Sequence, residues 1–311
     1  MLKSSENHLS EEKELIVMNF DLIWDGNVLL AETPIWDPKC GRLIWTDMYK
    51  GDVHETDFFN KKDRVWNTGS MIGSAIPCSD EELLLVVIAE GVFLLDKRDG
   101  SLEPIVNPEP GRPENFYNDS RVDAAGRIFT STVAKMYGTD DYRDDMVGAF
   151  YMIDTDRTVH TLATSVNQYN CITWNSDDTK MFVVDAHNAL LLSFDYDIGS
   201  GPVGESKIAM DFTDFGTPDG VSIDIEDNLY ICHWSGKITV WDKNISLKEV
   251  WDFPVPQVCC GGFGGIDRKD FYVATARYAY TPEQLENRNG AGGIFVGRTD
   301  IAGAEEHFFQ T

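Results

Sequence analysis

From Asp21 onward the chain alternates short apolar runs with polar turns of Asp, Gly, Asn and Lys, and it shows almost no helical periodicity. The runs have strand length, and stretches such as Arg127–Val133 and Asn228–Trp234 alternate as strands with large packed faces do. A similar unit recurs six times: an apolar strand, a polar turn, a second apolar strand, a loop, and a third strand ending near Asp. The copies begin at Ile35, Ala75, Arg121, Ile172, Val221 and Gly265. Their spacing of roughly 40 to 50 residues is the period of four-stranded propeller blades.

One such blade cannot bury both of its faces, whereas six stacked radially bury each sheet between its neighbours. The expected fold is therefore all-β: a six-bladed β-propeller with four-stranded blades around a central channel, spanning residues 20–311. Residues 1–19 read as a polar N-terminal extension. Its apolar run, Leu15–Met18, is too short and too acidic in context for a signal peptide or a membrane span. Ser10 is placed to N-cap a short helix reaching Met18, with Glu11 and Glu12 in its first turn. In the third unit a polar, glycine-punctuated insertion over residues 135–148 reads as a surface loop or lid.

The 311 residues are 42% hydrophobic and 12% aromatic, which suits a folded soluble domain. Against 26 basic residues stand 52 acidic ones, for a formal charge of −26. That field repels phosphate backbones and anionic membranes, so neither nucleic acid nor a membrane is an expected partner. It favours a bound cation and a neutral small-molecule substrate. The six cysteines include no C-x-x-C pair, and a reducing cytoplasm is the default location; the vicinal Cys259–Cys260 pair reads as packing thiols. There is no G-x-S-x-G elbow, H-E-x-x-H or phosphate-binding loop, and Gly262-Phe-Gly264 lacks a strand–glycine–helix context.

Functional chemistry in a propeller gathers where the innermost strands meet the channel. Just before four of the repeated units stand Glu32, Asn118, Asn170 and Asp219, at matching positions although far apart in sequence. Each alone has a plainer reading: Pro218-Asp219-Gly220 is a common turn, Asn118-Asp119 suits an Asx turn, and Glu32 suits a solvated loop. Six-fold placement brings equivalent positions together at one end of the axis. Two carboxylates and two amide carbonyls are hard oxygen donors, suited first to Ca²⁺ and also to Mg²⁺, Mn²⁺ or Zn²⁺.

These residues resemble the senescence-marker, regucalcin and gluconolactonase family. Glu32-Thr-Pro-Ile-Trp-Asp37 is similar to its E-x-P-x-W-D opening, and Asn118-Asp119 with Val122-Asp123 and Gly126-Arg127 to its N-D-x-x-x-D-x-x-G-R segment. Asn170 with Ile172-Thr-Trp174, Pro218-Asp219-Gly220 with Asp224, and Phe263-Gly264-Gly265 follow in family order. The resemblance implies a hydrolase of sugar lactones with one divalent cation on Glu32, Asn170 and Asp219. Asn118 would line the same site, as a ligand or through water and substrate. With such a metal, Asp219 is the expected general base. Related proteins hydrolyse phosphorus–fluorine bonds around calcium, so phosphotriester hydrolysis is the alternative, as is a non-enzymatic calcium-binding propeller.

Three departures bear on substrate. Phe116 stands where the family's sugar lactonases often carry Arg, Cys171 follows Asn170 in place of glycine, and Ser131 replaces another glycine. With Tyr117, Tyr169 and Trp36 close in sequence, the expected pocket is more aromatic than a sugar-lactone pocket. His233, beside Trp234, is expected to enter it as a substrate contact or proton shuttle.

Overall fold

The computed structural model describes residues 18–135, 143, 147–286 and 288–311. The helix expected from Ser10 and most of the insertion at 135–148 lie outside the described residues. The described residues form six separate four-stranded sheets, each antiparallel and each in sequential strand order except the last. Blade one illustrates the plan, with strands Ala31–Asp37, Arg42–Asp47, Asp52–Asp57 and Lys62–Asn67. The innermost strands of blades two to six are Ile72–Pro77, Asn115–Val122, Tyr169–Trp174, Pro218–Ile223 and Val258–Gly264. The six-bladed all-β expectation holds.

The sixth blade takes its outermost strand from the start of the chain: Asp21–Trp24 pairs antiparallel with Ile294–Arg298. This pairing joins the two ends of the circle, so the ring closes through backbone hydrogen bonds as well as side-chain packing. The helix among the described residues is a single turn, Pro282–Leu285, capped by reciprocal bonds between Thr281 and Gln284.

The Asp that ends several first strands has a local cause. Asp37, Asp123 and Asp224 each accept the backbone N–H two residues on, from Lys39, Ala125 and Glu226 at 2.9, 2.9 and 2.8 Å. Such Asx turns fix where the strand ends and hence the register of the hairpin that follows.

Apolar side chains fill six clusters, one at each blade–blade interface. Phe129, Phe150 and Met152 of blade three meet Trp174, Met181 and Phe194 of blade four. Tyr230 and Trp251 of blade five meet Phe263, Phe271 and Phe295 of blade six. A seventh, smaller cluster lies at one end of the channel, around Leu30, Met48 and Cys259. At the opposite end the C-terminal tail crosses the axis, bridging Gly303 to Asp224 in blade five and Phe309 to Cys78 in blade two. The channel is therefore covered at the end where the innermost strands finish and approached from the end where they begin.

Candidate functional site

Near the start of every innermost strand the pairing slips. The irregularities fall between Glu32 and Ile35, Ile72 and Ser74, Tyr117 and Ser120, Tyr169 and Ile172, Pro218 and Val221, and Val258 and Gly261. A bulge bends its strand and re-aims the side chain it carries. The equivalent residues are Glu32, Gly73, Asn118, Asn170, Asp219 and Cys259. At Gly73 a Cβ would sit 2.2 Å from the Asn118 carbonyl oxygen, so that position cannot carry a side chain. Beside Glu32, the buried β-branched Thr33 is held at φ 47°, a conformation such residues rarely adopt.

The four oxygen-bearing residues expected from sequence all face one pocket and are all buried. They form a connected series: Asn118 Nδ2 donates to Asn170 Oδ1, and Asn170 Nδ2 donates to Asp219 Oδ1. Trp234 Nε1 donates to Asp219 Oδ2. Asn118 Nδ2 also reaches the Tyr169 carbonyl at 3.1 Å, which Ser131 Oγ bonds at 2.7 Å. Ligand atoms of Glu32, Asp219 and Cys259 lie within 4.8 Å of one another. Cys259 thus takes the sixth ring position while packing, as expected, with Leu30 and Met48.

The electrostatics of this ring are one-sided. Burial pushes the Asp219 carboxyl up to about 8, with Asp119 adding repulsion against the hydrogen bonds from Trp234 and Asn170. Glu32 is likewise raised well above the usual carboxylate range, first by burial and then by the charges of Asp219 and Asp119. One layer deeper, Cys260 Sγ lies 2.9 Å from Glu32 Oε2 and 3.6 Å from Asp119 Oδ2. Arg121 Nη1 stands 3.8 Å from Asp119 Oδ1, an oxygen with no hydrogen-bond partner, and its Nη2 donates to Cys171 Sγ at 3.1 Å. Three buried carboxylates, Glu32, Asp119 and Asp219, thus face one buried guanidinium. A divalent cation on Glu32 and Asp219 would balance the remaining two charges, so the residues fit such an ion.

Above the ring lies a cavity of about 310 Å³. Phe116 lines it as expected, but Tyr117 and His233 do not. Successive residues of a strand face opposite ways, so Tyr117 turns into the interface between blades two and three. There its hydroxyl donates to Asn107 Oδ1 at 2.7 Å and accepts from the Glu109 N–H at 2.8 Å. Tyr169 packs edge-on against Phe150, and Trp36 stacks on Tyr272 beside the C-terminal tail, at the far end of the channel. Sequence neighbours supply the aromatic wall instead, with Trp234 following His233.

His233 is fully buried between Phe212 and Phe215. Its Nδ1 donates to the Gly216 carbonyl at 3.2 Å, so the neutral ring accepts at Nε2 from Thr239 Oγ1 at 2.9 Å. Burial lowers its pKa from 6.5 to about 4. Between those values the unfolded chain binds a proton that the folded protein refuses. Stability is fully present above pH 6.5 and falls by about 3 kcal/mol as the pH drops to about 4. His233→Gln, which keeps a donor and an acceptor, should flatten the urea-denaturation midpoint over that window. An unchanged acid slope would place the titration elsewhere.

The SMP-30/gluconolactonase/LRE-like family profile matches residues 30–277. The chain belongs to this family. Over 283 residues it is 28% identical to the sugar lactone lactonase candidate YvrE of Bacillus subtilis, covering 90% of this chain and 94% of that protein. Regucalcin of Danio rerio is 27% identical over 274 residues, covering 86% and 89%. Among solved structures, a calcium-binding protein, regucalcin, from Agrobacterium tumefaciens superposes with a TM-score of 0.88 at 23% identity, over 96% of this chain and 99% of that one. A gluconolactonase from Xanthomonas campestris superposes at 0.73 with 14% identity, over 90% and 89%. These two structural likenesses bear on the fold. No described helix is long and apolar enough to cross a membrane.

Proposed function

We propose that this propeller hydrolyses lactones with the help of one divalent cation held by Glu32, Asn118, Asn170 and Asp219. The observation that carries the proposal is the ring itself. Four blades deliver oxygen donors to one buried point where carboxylates outnumber cations, within a family that contains lactonases. Held by these residues, a divalent cation would supply Lewis-acid stabilisation of negative charge on the carbonyl oxygen.

The chain's own groups do the rest. Trp234 and Asn170 fix both oxygens of Asp219, so this carboxylate is aimed rather than free to rotate. Asp219 would take the proton of the attacking water and return it to the ring oxygen as the acyl C–O bond breaks: burial raises its basicity, and a cation at the ring would moderate it. Glu32 supplies neutralising charge and is oriented by the Cys260 thiol. Asn118 and Asn170 would contribute carbonyl oxygens without adding negative charge to a site whose excess a divalent cation would just balance. Oxygen donors favour Ca²⁺, while the Cys259 thiol beside Glu32 and Asp219 makes Zn²⁺ an acceptable substitute. The charge of −26 favours a neutral lactone over an anionic substrate, and six unpaired thiols suit a reducing cytoplasm.

The test is metal analysis of the purified protein followed by assay on lactone and organophosphate panels. About one equivalent of cation is expected, with lactone turnover lost on chelation and restored by adding the ion back. Full turnover in metal-free protein would refute the reading. Organophosphate hydrolysis alone would move it to phosphotriesters, and metal binding without turnover to a calcium-binding propeller.

A further inference from the structure

The pocket above the ring is built of two unlike parts. Its floor is the polar ring, but its walls are apolar. Leu30 and Met48 are buried there, and Met71, Phe116, Trp234 and Tyr278 pack over them in one continuous cluster. Tyr49 extends this surface to the rim, stacking on Tyr278 at 5.5 Å with planes 5° apart, and Trp234 meets the same ring edge-on at 6.4 Å. Among the described residues the one cationic side chain lining the pocket is Lys135, and its Nζ bonds the Pro113 carbonyl at 2.7 Å. Of the remaining wall side chains, Gln168, Thr217, the Tyr hydroxyls and the Trp234 indole N–H are polar, the last already given to Asp219, so most of the wall offers no polar group.

Resting on the lactone hydrolase reading, we infer that the substrate is a lactone bearing an apolar alkyl or aryl substituent, rather than a polyhydroxylated sugar lactone. The carbonyl end goes to the ring and the substituent to the wall formed by Met71, Phe116, Trp234 and Tyr278. A sugar ring placed there would leave hydroxyls desolvated against methionine and aromatic carbon, each unpaired group lowering binding by roughly tenfold or more. An alkyl chain instead removes apolar surface from water on both sides. Each methylene buried should raise binding by about fourfold. A cavity of about 310 Å³ lies within the range of small-molecule sites and leaves room for a substituent beside the ring.

The experiment uses the metal-replete full chain and two ligand series. The first compares kcat/KM for 5-alkyl γ-lactones, from methyl to hexyl, with that for glucono-δ-lactone. The second measures binding of 5-alkyl-2-pyrrolidinones, amide analogues that resist hydrolysis, by calorimetry. We expect kcat/KM and lactam affinity to climb together by about threefold to fourfold per methylene over the first members. Phe116→Asn and Met71→Asn should flatten both slopes, with the methyl compound least affected. Preferred hydrolysis of glucono-δ-lactone with a flat alkyl slope overturns this inference and leaves the hydrolase reading standing. Chain-length-dependent lactam binding without hydrolysis of any lactone supports the apolar wall and overturns the hydrolase reading. Absence of both hydrolysis and lactam binding overturns both.

Discussion

Replacing Asp219 with Asn is expected to lower lactone turnover by about a thousandfold or more, because it removes a ligand charge and the proton acceptor together. The variant separates the proposed site from mere packing through its stability. In wild-type protein without metal, Asp219 is a buried carboxyl raised to about 8. The resulting penalty is absent below the unfolded value of 3.8 and grows as the pH rises to about 8. Metal-free Asp219→Asn should therefore melt at or above metal-free wild type near neutral pH. Added cation reverses the order: at a hundred times its dissociation constant it stabilises wild type by about 2.7 kcal/mol and the variant by far less. Glu32→Gln should behave alike, since Glu32 carries the same burial and repulsion. A cation-induced melting shift of wild-type size in both variants would place the ion elsewhere and defeat the proposal.

The blade count and the four ring residues were legible for the same reason, which is repetition. A strand buried on both faces must be apolar, and a six-fold axis makes equivalent positions meet, so a matching residue in each unit is a matching point in space. Single-residue direction was not legible. A bulge lies between Tyr117 and Ser120, and another between Pro218 and Val221. Each re-aims its strand beyond the slip, while ordinary alternation before it puts Phe116 on the pocket side and Tyr117 in the blade interface. The same parity separates Trp234, in the pocket, from His233, behind it. Cys259 occupies a ring position but offers sulfur among oxygen donors; it stands five residues before Gly264, as Glu32 stands five before Asp37. Ring closure by Asp21–Trp24 joins opposite ends of the chain, and nothing local in that short stretch announces its partner.

Arg121 shows a different limit. An arginine in a strand reads as solvent-facing, yet this one is buried in the channel as the partner of Asp119 and Cys171. Such a group is tolerated because the carboxylates above it are in excess, so the layer beneath the ring and the ring itself are one electrostatic unit. The guanidinium limits the excess to about what one divalent ion can offset, and Cys260 links the layers by touching both Glu32 and Asp119.

The largest stability effect is expected away from the channel, at Glu55. This residue is 1% exposed in the third strand of blade one, and it binds Arg42, Arg64 and Lys97. Lys97 comes from blade two, and its Nζ reaches Glu55 Oε2 at 2.8 Å while its carbonyl accepts from Arg64 and Trp66 at 3.0 and 3.1 Å. Burial works to raise the Glu55 carboxyl, but Lys97 and Arg42 hold it below its ordinary value. Glu55→Gln leaves the ammonium of Lys97, itself 6% exposed, without its counter-charge. Breaking a buried pair from one side costs about 3–5 kcal/mol, most of it the stranded charge. The measurement is the urea midpoint of Glu55→Gln, Lys97→Met and the double variant Glu55→Gln/Lys97→Met. Because the double variant buries no unpaired charge at that point, it should recover much of the loss, giving a coupling of about 2 kcal/mol or more. A cost below about 1 kcal/mol for Glu55→Gln would mean that water reaches the cluster and that it behaves as an exposed ion pair. The blade one–two interface would then rest on the apolar cluster around Ile44, Val53, Leu84 and Val86.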